Sequence, residues 1–307
     1  MGGYQYICSM ADRELVALIV AGEPAGLAEA YDRHAAPLFA YCRSQVREPT
    51  VAAGVTSDTF RIAASRLAGL RDPERLRAWL YAVARIRCLS LIESGEASSA
   101  AGTVAEEPAP LPVLLRAAVG GLRPGERDVI LLTLWQRLDT GETAAVLGLS
   151  RRRAHSQLAR ARAQLGDCLG ALLVARAGRP DCEPLDALLA AWDGRFTEPA
   201  RKRLAAHIAR CPACAARRRR ELEPALRGLG PGAALTTVAA EATRTATIPN
   251  WVRQHALSPD TSAPPAAVPG QPAAFRRDGF PRPAGWPWHW TRRATLIPAR
   301  ALPAGSS

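Results

Sequence analysis

Apolar residues recur at helical spacing almost from the start of the chain. Leu15, Leu18 and Ile19, then Leu27, Ala30, Tyr31, Leu38 and Tyr41, repeat three and four apart, which gathers them on one face of a 3.6-residue turn. Residues 12–93 are therefore expected to form a bundle of several helices. From residue 94 to 111 the pattern stops: SGEASSAAGTVAEEPAPL is rich in Ser, Gly, Ala, Glu and Pro and reads as a flexible linker. Periodicity returns over 112–175 and again over 181–227. Residues 231–307 hold 12 of the 25 prolines in Ala/Pro/Gly stretches and are expected to be disordered. The whole chain is expected to be all-α.

Punctuation within 122–165 specifies a helix-turn-helix. Asp139 with Glu142 three residues on has the spacing of a capping box at a helix start. A short helix through Ala144, Val146 and Leu147 follows, Gly148 supplies the tight turn, and Ser150 stands where the next helix needs a cap. In that second helix Ala154, Leu158, Ala161 and Leu165 mark one apolar face. Arg151, Arg152, Arg153, Ser156, Gln157 and Arg160 face the other way, a set of cations and amides suited to phosphates and base edges in a major groove.

Composition sharpens this picture. At 307 residues and 48% apolar content the chain can bury more than one core. Its net charge of +12 is uneven: −2 over 1–110, +4 over 111–175, +5 over 176–230 and +5 beyond. The excess begins with the helix-turn-helix, as expected of a nucleic-acid face. No run approaches the roughly 18–20 apolar residues that span a bilayer, and no basic-then-apolar leader opens the chain, so no stable membrane insertion and a cytoplasmic location are expected. No nucleophile with a base and an orienting group, and no phosphate-cradling Gly loop, stands out, so an enzyme is not expected.

Cysteine usage points to a metal rather than to disulfides. Cys42, Cys88 and Cys168 fall within helical patterns and read as buried small hydrophobes. His207, Cys211 and Cys214 are spaced H-x3-C-x2-C, and i and i+4 share a helix face. A helix from Leu185 to Trp192, a turn at Gly194 and a returning helix from Glu198 would bring Cys182 back as a fourth ligand, closing a structural Cys3His zinc site. The competing reading of CPAC is a plain thiol pair.

Several of these stretches resemble known families. LRPGERDVILL, TAAVLGLS and the spacing S-x-L-x-R-A-R-x-x-L resemble the fourth region of bacterial sigma factors of the extracytoplasmic-function type, which implies reading of a −35 promoter element. Ala154 to Leu158 stand where that family usually carries Val-Lys-Ser-Arg-Leu. The order DRELVALIV, SDTFRIAASRL and DPERLRAWLYAVARIRCLSLI resembles the second region of the same family, which grips core polymerase and opens the −10 element. The resemblance implies contact with RNA polymerase core through Asp58 and Phe60. Arg77, Trp79 and Arg85 would then supply cations and an aromatic face to promoter DNA. Departures fall at Ala53, Gly54 and Ser57, where the family has an acidic pair and Gln, and at Ile86 and Ser90, where it has Asn and Asp. Residues 181–227, through DGRFTEPARKRLAAH and the Cys/His spacing, resemble zinc-binding anti-sigma domains, implying a sigma contact made within the chain or in trans. The function expected is thus a sigma factor, possible self-regulation by its zinc module included. The alternatives are a sigma-derived DNA-binding regulator without core binding, and a zinc-dependent sigma-binding protein. Near the C-terminus Trp286, Trp288 and Trp290 alternate beside Arg292 and Arg293, as in an interfacial anchor or a peptide ligand.

Overall fold

The computed structural model describes residues 10–100, 102–103, 111–177, 181–190, 192–227, 247–258, 272 and 274–282. Among them the chain is all-α, with twelve α-helices and two small antiparallel ladders of two-residue strands. Helices α1 (Asp12–Val20), α2 (Pro24–Gln45), α3 (Pro49–Arg66) and α4 (Leu76–Glu93) make the first bundle. Both α2 and α3 begin on proline, whose missing N–H is harmless in a first turn. Their apolar faces meet around Leu15, Leu38, Phe60, Ile62 and Trp79, all fully buried.

The second bundle is α5 (Leu111–Gly120), α6 (Pro124–Ile130), α7 (Thr140–Leu147) and α8 (Arg151–Ala177), with α6 running on through one π turn at Leu131–Trp135. The third is α9 (Glu183–Ala190), α10 (Glu198–Ile208) and α11 (Pro212–Arg227). It packs on the C-terminal half of α8: Arg218 pairs with Asp167 at 2.6 Å, and a Cβ on Gly170 would meet Arg218 and Leu222. Phe196 fills a notch over Gly121, where an added Cβ would lie 2.4 Å from its ring, so only glycine fits.

Two irregular segments carry local order. The linker does not hang free over its first part. Arg47 and Ala100 donate main-chain hydrogen bonds to Ser98 and Gln45, and Arg127 donates from Nη1 to the Ser99 hydroxyl and the Ala100 carbonyl, both at 3.0 Å. Strand β1 (Gly102–Thr103) then pairs with β2 (Arg195–Phe196) of the third unit. Residues 104–110 lie outside the described residues. The tail also contains order, because surfaces elsewhere accept it: a helix, α12 (Asn250–Leu257), packs on α2 and α3, and a hairpin of β3 (Ala274–Phe275) and β4 (Pro281–Arg282) packs on α4. The remaining expected disorder and the Trp286–Arg293 element lie outside the described residues.

The first two bundles are joined by a buried polar network. Arg85 of α4 pairs with Asp128 of α6 at 2.7 Å, and Gln45 of α2 donates to the other Asp128 oxygen at 2.8 Å. Burial opposes the Arg85 charge, but Asp128 and Tyr41 outweigh it and raise its pKa. Beside this pair the Tyr81 hydroxyl donates to Gln136 Oε1 at 2.7 Å, and Arg77 donates to the Gln136 carbonyl. Tyr41 meets the Tyr81 ring edge-on at 5.3 Å.

A half-broken buried pair is worse than none, because it strands a desolvated charge. Asp128→Ala is expected to cost roughly 3–5 kcal/mol in urea denaturation, while Arg85→Leu with Asp128→Leu costs much less. Equal losses in the two variants would show that the pair is not what links the bundles. A second expectation concerns acid. Burial first, then Arg33 and Arg77, lower His34 from 6.5 to about 4, with Asp12 3.9 Å away and itself pushed up by burial. The folded chain thus keeps this ring neutral while the unfolded chain protonates it. That contribution is complete above about pH 6.5 and is lost as pH falls toward 4, a range worth roughly 3 kcal/mol. His34→Gln should flatten the fall in stability across that window; an unchanged slope would assign the acid sensitivity elsewhere.

Candidate DNA interface and metal centre

The helix-turn-helix forms as its local signals require. Asp139 Oδ1 accepts from the Glu142 amide at 2.8 Å while the Glu142 carboxylate accepts from the Asp139 amide at 2.7 Å. Gly148 adopts the left-handed conformation at φ 66° and ends α7, with the Leu149 amide returning to Ala144 O at 2.8 Å. The Ser150 hydroxyl accepts from the Arg153 amide at 3.3 Å, capping α8. Ala154, Leu158, Ala161 and Leu165 are buried. Arg151, Arg152, Arg153, Ser156 and Arg160 are exposed and Gln157 is half-buried, so the cationic face is open to solvent. Helix α8 is stiffened from behind by the third unit, which leaves this first half of the helix uncovered.

The residues expected to serve core polymerase and the −10 element are placed differently. Phe60 is fully buried, with Tyr31 tilted against it at 5.0 Å. Asp58 is half-buried, bound by Arg87 and 3.8 Å from Arg61. Trp79 is 0% exposed and donates its indole N–H to Gly279 O at 2.8 Å. Arg85 is spent on Asp128 and Arg77 on the Gln136 carbonyl. In this arrangement the first bundle presents none of these aromatic faces to a base. Asp128 and Gln136 escaped notice in the sequence, although two polar residues eight apart inside DVILLTLWQ were a visible sign of a buried polar contact.

Cys182, His207, Cys211 and Cys214 converge, their ligand atoms all within 4.8 Å of one another. Cys182 lies just before α9 and its carbonyl accepts the Leu185 and Asp186 amides; His207 is on the last turn of α10; Cys214 is on the first turn of α11. Cys211 sits past the end of α10, in the turn to α11, rather than on the same helix as His207. Its amide still reaches His207 O at 3.0 Å, which keeps the i, i+4 proximity. The separations are 3.5 Å for Cys182 Sγ to His207 Nε2, 3.9 Å for Cys182 Sγ to Cys211 Sγ, and 3.2 Å for His207 Nε2 to Cys214 Sγ. A tetrahedron with metal–sulfur bonds of about 2.3 Å has edges of about 3.8 Å, so the donor set lies close to the shape a four-coordinate ion requires. Hydrogen bonds from the α11 amides, that of Cys214 foremost, lower the Cys211 thiol pKa and favour its thiolate.

With this geometry in hand, the chain can be placed among known proteins. Residues 113–165 match the model of sigma-70 region 4, spanning most of α5, then α6, α7 and the first half of α8. RNA polymerase sigma factor CnrH of Cupriavidus metallidurans is 30% identical over 183 residues, a match covering 52% of this chain and 95% of that protein. The chain belongs to the RNA polymerase sigma factors. The extracytoplasmic-function type inferred from the sequence holds with it. A solved structure of CnrH in complex with the cytosolic domain of CnrY is also 30% identical and covers 53% of this chain and 99% of that one, with a TM-score of 0.42. Among the described residues of this sigma factor, no helix is long and apolar enough to cross a membrane.

For the cysteine and histidine cluster, one metal ion per chain is expected by elemental mass spectrometry of protein purified without chelator. Cys214→Ser should lose it and unfold α9–α11 at lower temperature. Full metal content in that variant would mean that the cluster is not the site.

Proposed function

We propose that this sigma factor directs core RNA polymerase to promoters, with α8 entering the major groove of the −35 element and the first bundle serving core and the −10 element. The observation that carries the proposal is the capped helix-turn-helix whose second helix shows Arg151, Arg152, Arg153, Ser156 and Arg160 to solvent. It works by binding, not by catalysis, and its partners, promoter DNA and polymerase, place it in the cytoplasm. Arg residues at the start of the helix neutralise phosphates and fix its register, while Gln157 and Arg160 lie a turn further in, where base edges are read.

Zinc is the metal that suits the third unit: three thiolates and one imidazole in a closed tetrahedron match its preferred ligands, and such sites hold small domains folded. Because that unit braces the rear of α8, metal loss would loosen the reading helix, a route to self-regulation by the anti-sigma-like module. CnrH is found bound by the cytosolic domain of CnrY. A sigma-binding partner of that kind is the contact proposed in trans. One observation favours a second reading, a DNA-binding regulator that does not engage core: Phe60 is fully buried and Asp58 is held by Arg87.

Replacing Arg151, Arg152 and Arg153 together by Ala is expected to weaken binding to every duplex and to lower the slope of log K against log salt by roughly 0.9 per lost phosphate contact. Fluorescence anisotropy over a salt series measures it, and an unaltered slope removes α8 as the interface. Co-purification with core polymerase separates the two readings.

A further inference from the structure

The tail was expected to be disordered over most of its length, and its two ordered pieces lie on the surfaces of the first bundle that the sigma reading assigns to polymerase and to promoter bases. Helix α12 sets Val252 and Ala256, four apart on one face, into the surface of α2 and α3, where both are buried. Arg253 forks onto both carboxylate oxygens of Asp32, at 3.1 and 3.0 Å, with its guanidinium 6.0 Å from the Tyr31 ring centre. Tyr31 is the residue that lies on Phe60. Two residues on, His255 Nε2 is 3.3 Å from Arg61 Nη1, and Arg61 is the neighbour of Asp58. Thus α12 stands beside the turn of α3 that carries Asp58 and Phe60.

The hairpin covers Trp79. Phe275 stacks on its ring at 6.4 Å with 12° between the planes, and Gly279 O takes its N–H. The Arg71 amide donates to Asp278 O, and Gly279, at φ 83°, lies so close to Gly69 that an added Cβ would be 2.1 Å from the Gly69 carbonyl oxygen. From the same turn Arg276 reaches the second bundle, donating from Nη2 to Ala145 O at 2.6 Å. Ala145 is in the last turn of α7, where its carbonyl also accepts the Gly148 amide at 3.3 Å and where a cation is favoured. One short hairpin therefore adds a bridge between α4 and α7 to the Arg85–Asp128 contact that already joins the two bundles.

We propose that the C-terminal tail is an intramolecular clasp: α12 covers the polymerase face of α3, and the hairpin covers Trp79 while fastening the two sigma modules to each other. This inference rests on the sigma reading above. Among the described residues neither tail element is hydrogen-bonded or ion-paired to the exposed arginines of α8, so the closed chain keeps its duplex-binding face and withholds the surfaces needed for core binding and strand opening. Tethering puts tail and bundle at an effective concentration of order millimolar, so these small contacts suffice to keep the clasp shut until a competitor for the same surfaces displaces it.

The test uses the full chain and a full-length double variant, Val252→Asp with Gly279→Val, both changes lying in the tail. Hydrogen exchange at the Arg71 amide and along α3 should quicken in the variant. Its affinity for purified core polymerase and its yield of open promoter complex should rise about tenfold or more, as expected when a mostly closed population is opened. Arg253→Glu should act in the same direction, and adding Asp32→Arg should restore closure. Unchanged exchange shows that the tail was not docked and overturns the clasp. Faster exchange, with core affinity and opening already at full value in the unmodified chain, overturns it as an inhibitory device and leaves the sigma reading standing. Faster exchange with no core binding by any version overturns the sigma reading itself, and the clasp falls with it.

Discussion

The contact between Arg85 and Asp128 constrains everything around it. Neither charge is tolerable alone at that depth, and each satisfies the other only if α4 and α6 meet at one register. Gln45 completes the carboxylate from α2, and the same register brings Gln136 over Tyr81 and within reach of Arg77. A dry apolar interface would tolerate sliding. This one does not, because a shift of one residue would strand a carboxylate, a guanidinium and an amide at once. The linker follows the same constraint: with the bundles in contact, Arg127 of α6 gathers Ser99 and Ala100, and the chain crosses as a docked strand.

The third unit is fixed by shape as well as by the Arg218–Asp167 ion pair. Phe196 has room only because residue 121 is glycine, and α11 approaches α8 closely only because residue 170 is glycine. Arg201 seals the notch by donating to Gly121 O at 2.9 Å. The four side chains of the candidate metal site come from the ends of three helices that have few buried residues of their own, so packing on α8 is needed to hold them.

For a sigma factor, such an arrangement sets up a competition. Surfaces that bind polymerase and splayed bases are apolar and aromatic, and such surfaces do not stay bare in water when a tethered partner can cover them. Cover of Trp79 by the hairpin is then compatible with a role in transcription, provided the working complex offers more contact than the closed chain gives up. A partner shifts the equilibrium only by its difference in affinity for the two states.

What the sequence determined by itself is what short-range physics controls. Asp139 with Glu142, Gly148 and Ser150 specify caps and a turn within a few residues, and the 3.6-residue repeat of Ala154, Leu158, Ala161 and Leu165 separates the buried side of α8 from its cationic side. The H-x3-C-x2-C spacing likewise drew three donors together, and the turn at Gly194 returned the chain to Cys182. Tertiary structure alone decided the pairing of Arg85 with Asp128, 43 residues away, and of Trp79 with Gly279, 200 residues away. It also decided that α12 and the hairpin exist. Those tail segments carry too little apolar surface to order themselves, so their structure comes from the bundle they dock on, and nothing local in a Pro/Ala-rich stretch encodes the shape of a distant surface.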